Sequence, residues 1–237
     1  SAVKPAIRAN DTTDIWVVRG NTYSSRPSRP FRSALLSQSK ARTDLGLYSI
    51  TFNNDLDADY ASLLAFRDFR ADAAAAGFDY FLEIFNPNVA CGLDAAAMPA
   101  FVNDSILRCL AGLTRAERPK FLKIVYNGAK ALDELASFDP GLVVGVLGGG
   151  AGTTRDCYEL LAQAERYGAR VALFGRKINL AESPLAMVAM MRRVVEGDIG
   201  PAEAVRAYHG ELQKAGIKPL RPLAQDGEIT EAVLKQA

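Results

Sequence analysis

The sequence predicts an α/β protein built as a (β/α)8 TIM barrel of parallel strands, and three observations support this fold class. The chain has 237 residues, close to the ~250 that are typical of a closed barrel. From residue 45 onward, short apolar runs alternate with longer amphipathic stretches, which is the pattern of repeated βαβ units. Gly77 and Gly168 follow two of the predicted helices, as expected just past a helix C-terminus. We therefore expect one barrel domain over residues 1–237, with a C-terminal helical extension over 201–237.

Each predicted strand is a short apolar run between turn signals. The predicted strands are Ile15 to Val18, Leu45 to Phe52, Tyr80 to Phe85, Phe121 to Tyr126, Leu142 to Leu147 and Arg170 to Phe174. An eight-stranded barrel requires two more. Either Pro30 to Leu36 and a segment near Val3 to Arg8 supply them, or the chain lacks an N-terminal portion and the barrel is abbreviated there. We favour the second alternative.

Helices are predicted between and after these strands. The predicted helices are Asp57 to Ala76, Ala97 to Leu113, Ala129 to Ser137, Thr153 to Tyr167, Pro184 to Glu196 and Pro201 to Ala215. Pro184 and Pro201 stand in the first turn of the last two, where proline is well tolerated. The polar tail after Gly216 contains Pro219 and Pro222, which favours an extended arm before a short final helix.

Charge and cysteine content exclude several classes of function. The 28 basic and 27 acidic side chains leave a formal charge of +1, so no broad field attracts nucleic acid or anionic lipid. Three cysteines in no metal-ligand spacing argue against a disulfide framework and favour a reducing compartment. No apolar stretch approaches the ~20 residues of a membrane span. We expect a cytoplasmic protein with no nucleic-acid or membrane partner.

His209 is the single histidine of the chain. It lies in a predicted surface helix, where we expect a solvated side chain. A histidine-ligated metal site and a Ser-His-Asp triad are therefore both disfavoured.

Polar and glycine residues stand at the predicted carboxyl ends of the strands, where the working residues of a parallel α/β barrel cluster. The candidate site residues there are Asn53, Glu83, Lys123, Gly148, Gly149, Gly150, Gly175, Arg176 and Lys177. Glu83 and Lys123 are the candidate catalytic residues, and the others are candidates for binding substrate or its phosphate.

Lys123 stands inside the apolar run Phe121 to Tyr126. An unpaired ammonium is rarely buried, so this lysine must reach solvent, find a partner or give up its proton, which would make it a nucleophile. Strand alternation puts Glu83 on the matching face of the preceding strand. Two interpretations stay open: the two residues form a structural ion pair, or Lys123 forms an imine while Glu83 or a water molecule moves protons.

Two consecutive strand ends combine glycine with positive charge. Gly148 to Gly152 runs into Thr153 and Thr154 at the start of a helix, so backbone N–H groups and a helix N-terminus would converge on an anion. The next strand ends in Gly175 and Arg176, and barrels often hold phosphate between the loops after the last two strands. We predict a phosphate site here.

Three motifs together carry a resemblance to a known family. They are Phe121 to Tyr126, Val143 to Gly150, and Gly168 to Arg176 followed by Ser183 and Pro184. Over roughly Leu45 to Glu196 the chain resembles the class I aldolases of the deoxyribose-phosphate and bacterial or archaeal fructose-bisphosphate type. The resemblance implies a (β/α)8 barrel with the Schiff-base lysine on the sixth strand and phosphate bound after the seventh and eighth strands.

On this resemblance Lys123 is the imine lysine, and the phosphate cradle is formed by Gly149, Gly150, Gly175 and Arg176. The family usually has asparagine where this chain has Lys177, and relatives often place a tyrosine in the region that reads Phe85-Asn86 here.

The expected function is that of a class I aldolase-like lyase acting on a small phosphorylated sugar or keto compound through a lysine imine, with no metal and no organic cofactor. The resemblance also implies a homo-oligomer. Two alternatives stay open: a phosphate-binding barrel isomerase or epimerase with Glu83 as base, and a non-catalytic sugar-phosphate-binding barrel.

Overall fold

The computed structural model describes residues 3–10, 19–148 and 152–236. The chain divides into two compact units, Ser1–Val125 and Tyr126–Ala237, and each is described by itself. The predicted strand Ile15 to Val18 lies outside the described residues. Within the described ranges, no helix combines the length and the apolar character that a membrane crossing requires.

The first unit alternates strands with helices. In chain order its elements are β1 (Ile7–Arg8), α1 (Leu36–Ser39), β2 (Leu45–Thr51), α2 (Leu56–Ala76), β3 (Asp79–Phe85), α3 (Met98–Leu110) and β4 (Leu122–Ile124). The four strands pair in parallel in the order β1, β2, β3, β4. The long β2 and β3 pair over their full length, with Leu45 opposite Asp79 and Thr51 opposite Phe85.

Aromatic side chains fill the space between α2 and the sheet of the first unit. The ring of Phe69 on α2 stacks on Tyr48 with centroids 4.3 Å apart and meets Tyr80 edge-on at 5.3 Å. Phe69 and Tyr48 are fully buried. Offset and edge-on contacts of this kind add to the burial of large apolar surfaces, so they fix α2 against β2 and β3.

The second unit has fewer strands and more helices. In chain order its elements are α4 (Ala129–Phe138), β5 (Val144–Leu147), α5 (Thr154–Arg166), β6 (Val171–Leu173), α6 (Arg176–Asn179), α7 (Pro184–Val195), α8 (Pro201–Lys214), α9 (Leu223–Asp226) and a 3₁₀ helix (Ala232–Lys235). Strands β5 and β6 pair in parallel, with Gly145 opposite Val171. Helices α5, α7 and α8 share one apolar core that includes Tyr158, Met187 and Tyr208.

Side-chain caps and glycines define the helix ends. Asp55 accepts a hydrogen bond from the Ala58 N–H at the start of α2, and Gly77 ends this helix in the left-handed conformation with φ of 58°. Thr153 and Asp156 form a reciprocal capping box at the start of α5. Such caps satisfy backbone N–H groups that have no partner inside the helix.

The C-terminal tail docks on α5. Thr153 donates its hydroxyl to the Glu228 carbonyl at 2.7 Å, Asp156 accepts from the N–H and hydroxyl of Thr230, and Gln163 donates to the Leu234 carbonyl at 2.9 Å. The polar composition of this segment serves these hydrogen bonds.

The observed elements confirm the predicted α/β class with parallel strands. β1 lies in the segment near Val3 to Arg8 that was one candidate for an extra strand, whereas over residues 19–40 the structure has only α1 as a regular element. Six strands are found in the described residues, two fewer than a closed barrel requires. The single-domain assignment over 1–237 stays a prediction.

Candidate functional site

Ser49, Glu83 and Lys123 form a polar row across three neighbouring strands of the first unit. Ser49 on β2 is the register partner of Glu83 on β3, and Glu83 is the register partner of Lys123 on β4. Register partners in a parallel sheet point to the same face. The three side chains therefore meet without any loop between them.

Close contacts join the polar row. The Lys123 ammonium nitrogen lies 2.5 Å from Glu83 Oε1, and the Ser49 hydroxyl donates to Glu83 Oε2 at 2.7 Å. The side chain of Glu83 is 2% exposed, whereas that of Lys123 is 19% exposed. The carboxylate is thus enclosed, while the amine keeps some access to solvent.

Alternation along the strands explains why charged groups fit inside this sheet. Leu82 pairs with Leu122 and Ile84 pairs with Ile124, and all four are buried. These neighbours take the opposite face. The sequence reasoning that put Lys123 beside Glu83 relied on the same alternation, and the structure places the two residues in contact.

Asn10, just after β1, holds the backbone of the polar row. Its side-chain amide donates to the Ser49 carbonyl at 2.9 Å and its side-chain oxygen accepts from the Ser49 N–H at 2.6 Å. Asn10 is 1% exposed. Its amide thus imitates a strand neighbour for Ser49.

Asn53 follows β2 and is 2% exposed. Its side-chain oxygen accepts from the Asn88 N–H at 3.1 Å, and its own N–H donates to Asp59 at 2.8 Å. Burial raises the pKa of the Asp59 carboxyl. Within the described residues the Asn53 Nδ2 has no hydrogen-bond partner, so this amide group keeps an unused donor.

The second unit contains a pocket of about 160 Å³ that is lined by cationic and acidic side chains. Its cationic side chains are Arg176, Lys177 and Arg221, and its acidic ones are Glu182 and Asp226. The Lys177 ammonium donates to the Gly152 carbonyl at 3.4 Å. Burial lowers the pKa of Lys177. Arg176 and Lys177 thus line one pocket with Gly152 and Thr154 at the start of α5, and their role in binding stays a prediction.

The N-terminus of α5 is occupied by an internal carboxylate. The Thr154 N–H donates to Asp226 Oδ1 at 2.8 Å, and the Thr153 N–H donates to Asp156 at 2.8 Å. Asp226 is 3% exposed. Burial raises the pKa of its carboxyl, but the hydrogen bonds from Thr154 and His209 and the charge of Lys177 outweigh burial and hold that pKa below its ordinary value.

The expectation for His209 was wrong. Its side chain is 10% exposed and Nε2 lies 3.0 Å from Asp226 Oδ2. The helical pattern of α8 did not indicate this contact, because Asp226 comes from a later segment with no periodicity of its own.

The glycines of the predicted cradle divide into three cases. A Cβ at Gly148 would lie 2.0 Å from the ring of Phe174, so packing alone requires glycine there. Gly149 and Gly150 lie outside the described residues. A Cβ added at Gly175 would have no other atom within 4 Å, so an approaching group has room beside this residue.

Lys123 and Glu83 belong to the first unit, and Arg176 and Lys177 belong to the second.

Sequence reasoning missed Ser49, Asn10, Arg221 and Asp226. Strand alternation applied to Leu45 to Phe52 would have found Ser49. Within the described ranges, no three His, Cys, Asp or Glu side chains stand together as ligands for a metal ion.

Comparison with solved structures finds chains of similar fold. The chain aligns with a fructose-bisphosphate aldolase from Slackia heliotrinireducens with a TM-score of 0.62 and 15% identity, over 88% of this chain and 67% of that one. It aligns with a protein from Corynebacterium glutamicum with a TM-score of 0.50 and 20% identity, over 73% of this chain and 58% of that one. No protein-family model and no curated protein sequence matches. The likeness is one of fold, and it confirms the α/β class as a partial barrel of the TIM type.

Proposed function

We propose that this chain is a class I aldolase-like lyase that cleaves or joins a carbon–carbon bond beside a carbonyl in a small phosphorylated sugar or keto compound. The observation that carries the proposal is the contact between the Lys123 amine and the enclosed Glu83 carboxylate, 2.5 Å apart. An amine with a proton acceptor at hydrogen-bond distance is the arrangement that imine formation needs.

The chemistry follows from these two groups. Lys123 transfers a proton to Glu83, and the neutral amine attacks the substrate carbonyl to give a carbinolamine. Loss of water leaves an iminium. The substrate hydroxyl beyond the breaking carbon–carbon bond then gives its proton to water and becomes an aldehyde, and the electron pair of that bond passes to the iminium, which becomes an enamine. The step requires no metal or organic cofactor.

That the substrate carries a phosphate is proposed from the cationic side chains of the second unit. Arg176, Lys177 and Arg221 line one pocket, and guanidinium and ammonium groups bind phosphate well. Fructose bisphosphate is the first substrate to test, because the structural neighbour from Slackia is named for it. We also propose a homo-oligomer, on the family resemblance alone.

Borohydride reduction in the presence of fructose bisphosphate tests the proposal. We expect a stable adduct on Lys123, found by peptide mass analysis, and no adduct in Lys123→Met. Lys120→Met is the matched control, because Lys120, two residues before β4, pairs with Asp79 at the start of β3 at 3.2 Å but is 57% exposed. A reduced adduct that maps to other lysines and spares Lys123 would contradict the assignment.

One observation favours a second candidate function. Lys123 lies 2.5 Å from Glu83 as an ion pair, and in this second candidate Lys123 acts as a fixed positive charge while Glu83 removes a proton, as in a barrel isomerase or epimerase. Turnover of a sugar phosphate without any trapped adduct would support this candidate. Binding with neither turnover nor adduct would support a non-catalytic sugar-phosphate-binding protein.

A further inference from the structure

We propose that Ser49 is a positioning residue that holds the Glu83 carboxylate in the orientation needed to take a proton from Lys123. This inference rests on the proposed function and deepens it. Ser49 does not contact substrate in this scheme. It acts only through Glu83.

The contacts divide the two oxygens of Glu83 between two partners. Oε2 accepts the Ser49 hydroxyl at 2.7 Å, and Oε1 faces the Lys123 nitrogen at 2.5 Å. A carboxylate turns readily about its last torsion, because this torsion has broad energy wells. The hydrogen bond to Oε2 restricts that rotation, so Oε1 stays directed at the amine.

Ser49 is itself fixed. It is 0% exposed, and its backbone N–H and carbonyl are both bound by the side chain of Asn10. Its register pairing with Glu83 puts the two side chains on the same face of the sheet. The row is thus anchored at Asn10 and ends at the only member with appreciable solvent access, Lys123.

Proton transfer explains why orientation matters. The N–H bond of the Lys123 ammonium breaks toward Glu83 Oε1, and the freed electron pair forms the new bond to the carbonyl carbon. The carbonyl π electrons move to its oxygen, which takes one proton from the attached nitrogen and one from the Glu83 carboxyl and leaves as water. The electron pair freed on the nitrogen closes the C=N bond of the iminium. Ser49 keeps its own proton throughout, so its contribution is geometric, and small misplacements of reacting groups reduce rates strongly.

The test measures the rate at which the borohydride-trapped adduct forms on Lys123 with fructose bisphosphate. We expect Ser49→Ala to slow adduct formation about tenfold and Ser49→Thr, which restores a hydroxyl, to recover most of the rate. Ser49→Cys nearly keeps the size of the side chain but offers only a weak donor, so we expect it to form the adduct slowly as well. This variant repeats the test if Ser49→Ala folds poorly. Ser62→Ala is the matched control, because Ser62 is equally buried and donates to the Ala58 carbonyl in α2.

A double variant separates positioning from general damage to the fold. In the Glu83→Gln background, Ser49→Ala should cause no further slowing, because Ser49 acts on Lys123 through Glu83 in this proposal. Wild-type rates in Ser49→Ala and Ser49→Cys, or an equal slowing with and without Glu83, would overturn the inference while the adduct on Lys123 still stands. A wild-type protein that forms no adduct would overturn the proposed function and this inference with it.

Discussion

Glu83 and Lys123 form an ion pair whose carboxylate is almost fully enclosed. Taking both charges out of water costs several kcal/mol per ion, and apolar residues of similar volume often stabilise a fold as well or better. The pair is therefore weak evidence for a purely stabilising role. It sets an amine, a carboxylate and a hydroxyl in one row, and this arrangement is the basis of the proposal that the pair has a chemical role.

Gly148 shows that packing can account for a glycine in a candidate binding motif. Gly148→Ala would place a Cβ 2.0 Å from the Phe174 ring, so the ring must move. We expect the free energy of unfolding to fall by about 1–3 kcal/mol, as for other overpacked sites, measured by urea denaturation without any ligand.

Gly175→Ala is the control for this change, since its Cβ would enter open space and its φ of −89° suits any residue. Its free energy of unfolding should stay within about 0.5 kcal/mol of wild type. Equal stability of the two variants would mean that Phe174 is not the reason for glycine at position 148.

At the scale of elements, α5 is the helix on which the second unit depends. Its apolar face packs in the core with α7 and α8, and its first turn is capped by Asp156 and by Asp226 from the C-terminal tail. A helix N-terminus attracts negative charge, so carboxylates are well placed there. A phosphate bound at this helix end, as the sequence predicts, would therefore lie next to Asp226 and would approach from the direction of Arg176 and Lys177.

Asp226→Asn tests the contribution of this carboxylate. The pKa of Asp226 is held below its ordinary value in the folded chain, so its stabilisation is present above the unfolded pKa and is lost as pH falls through the folded pKa. At pH 7 we expect the variant to lose about 1–2 kcal/mol of unfolding free energy, typical of a charge-assisted hydrogen bond near a helix end. The deficit should shrink toward zero in the most acidic range, below pH of about 4.

Urea denaturation of wild type and variant across this pH range measures the deficit. Glu203→Gln is the control, an exposed acid in the first turn of α8 that should change stability by less than about 0.5 kcal/mol. A deficit that stays constant from neutral to acidic pH would show that the charge of Asp226 contributes nothing.

At the scale of the whole molecule, the strands and contacts that could be predicted from the sequence are those that depend on local periodicity. The strands at Leu45 and Tyr80 and the contact of Lys123 with Glu83 depend on alternation within single strands, which a sequence displays directly. The contact of Thr154 with Asp226 joins residues 72 positions apart, and nothing in a polar tail indicates its partner. Gly148 was assigned to a ligand for the same reason, since its contact with Phe174 arises only when β5 and β6 pair.

The three cysteines report on the folding of both units. Cys109 on α3 and Cys157 on α5 are buried, and Cys91 is partly exposed. Burial raises the pKa of each buried thiol to about 12, so at pH 8 only about one in 10⁴ is the reactive thiolate. We expect iodoacetamide at pH 8 to label Cys91 in the native protein and to label Cys109 and Cys157 at least about a thousandfold more slowly, because both must await an opening of the fold. Intact-mass spectra should show one added label in buffer and three in concentrated urea. Native labelling of Cys109 or Cys157 at the rate of Cys91 would mean that the apolar core of the corresponding unit is not closed in solution.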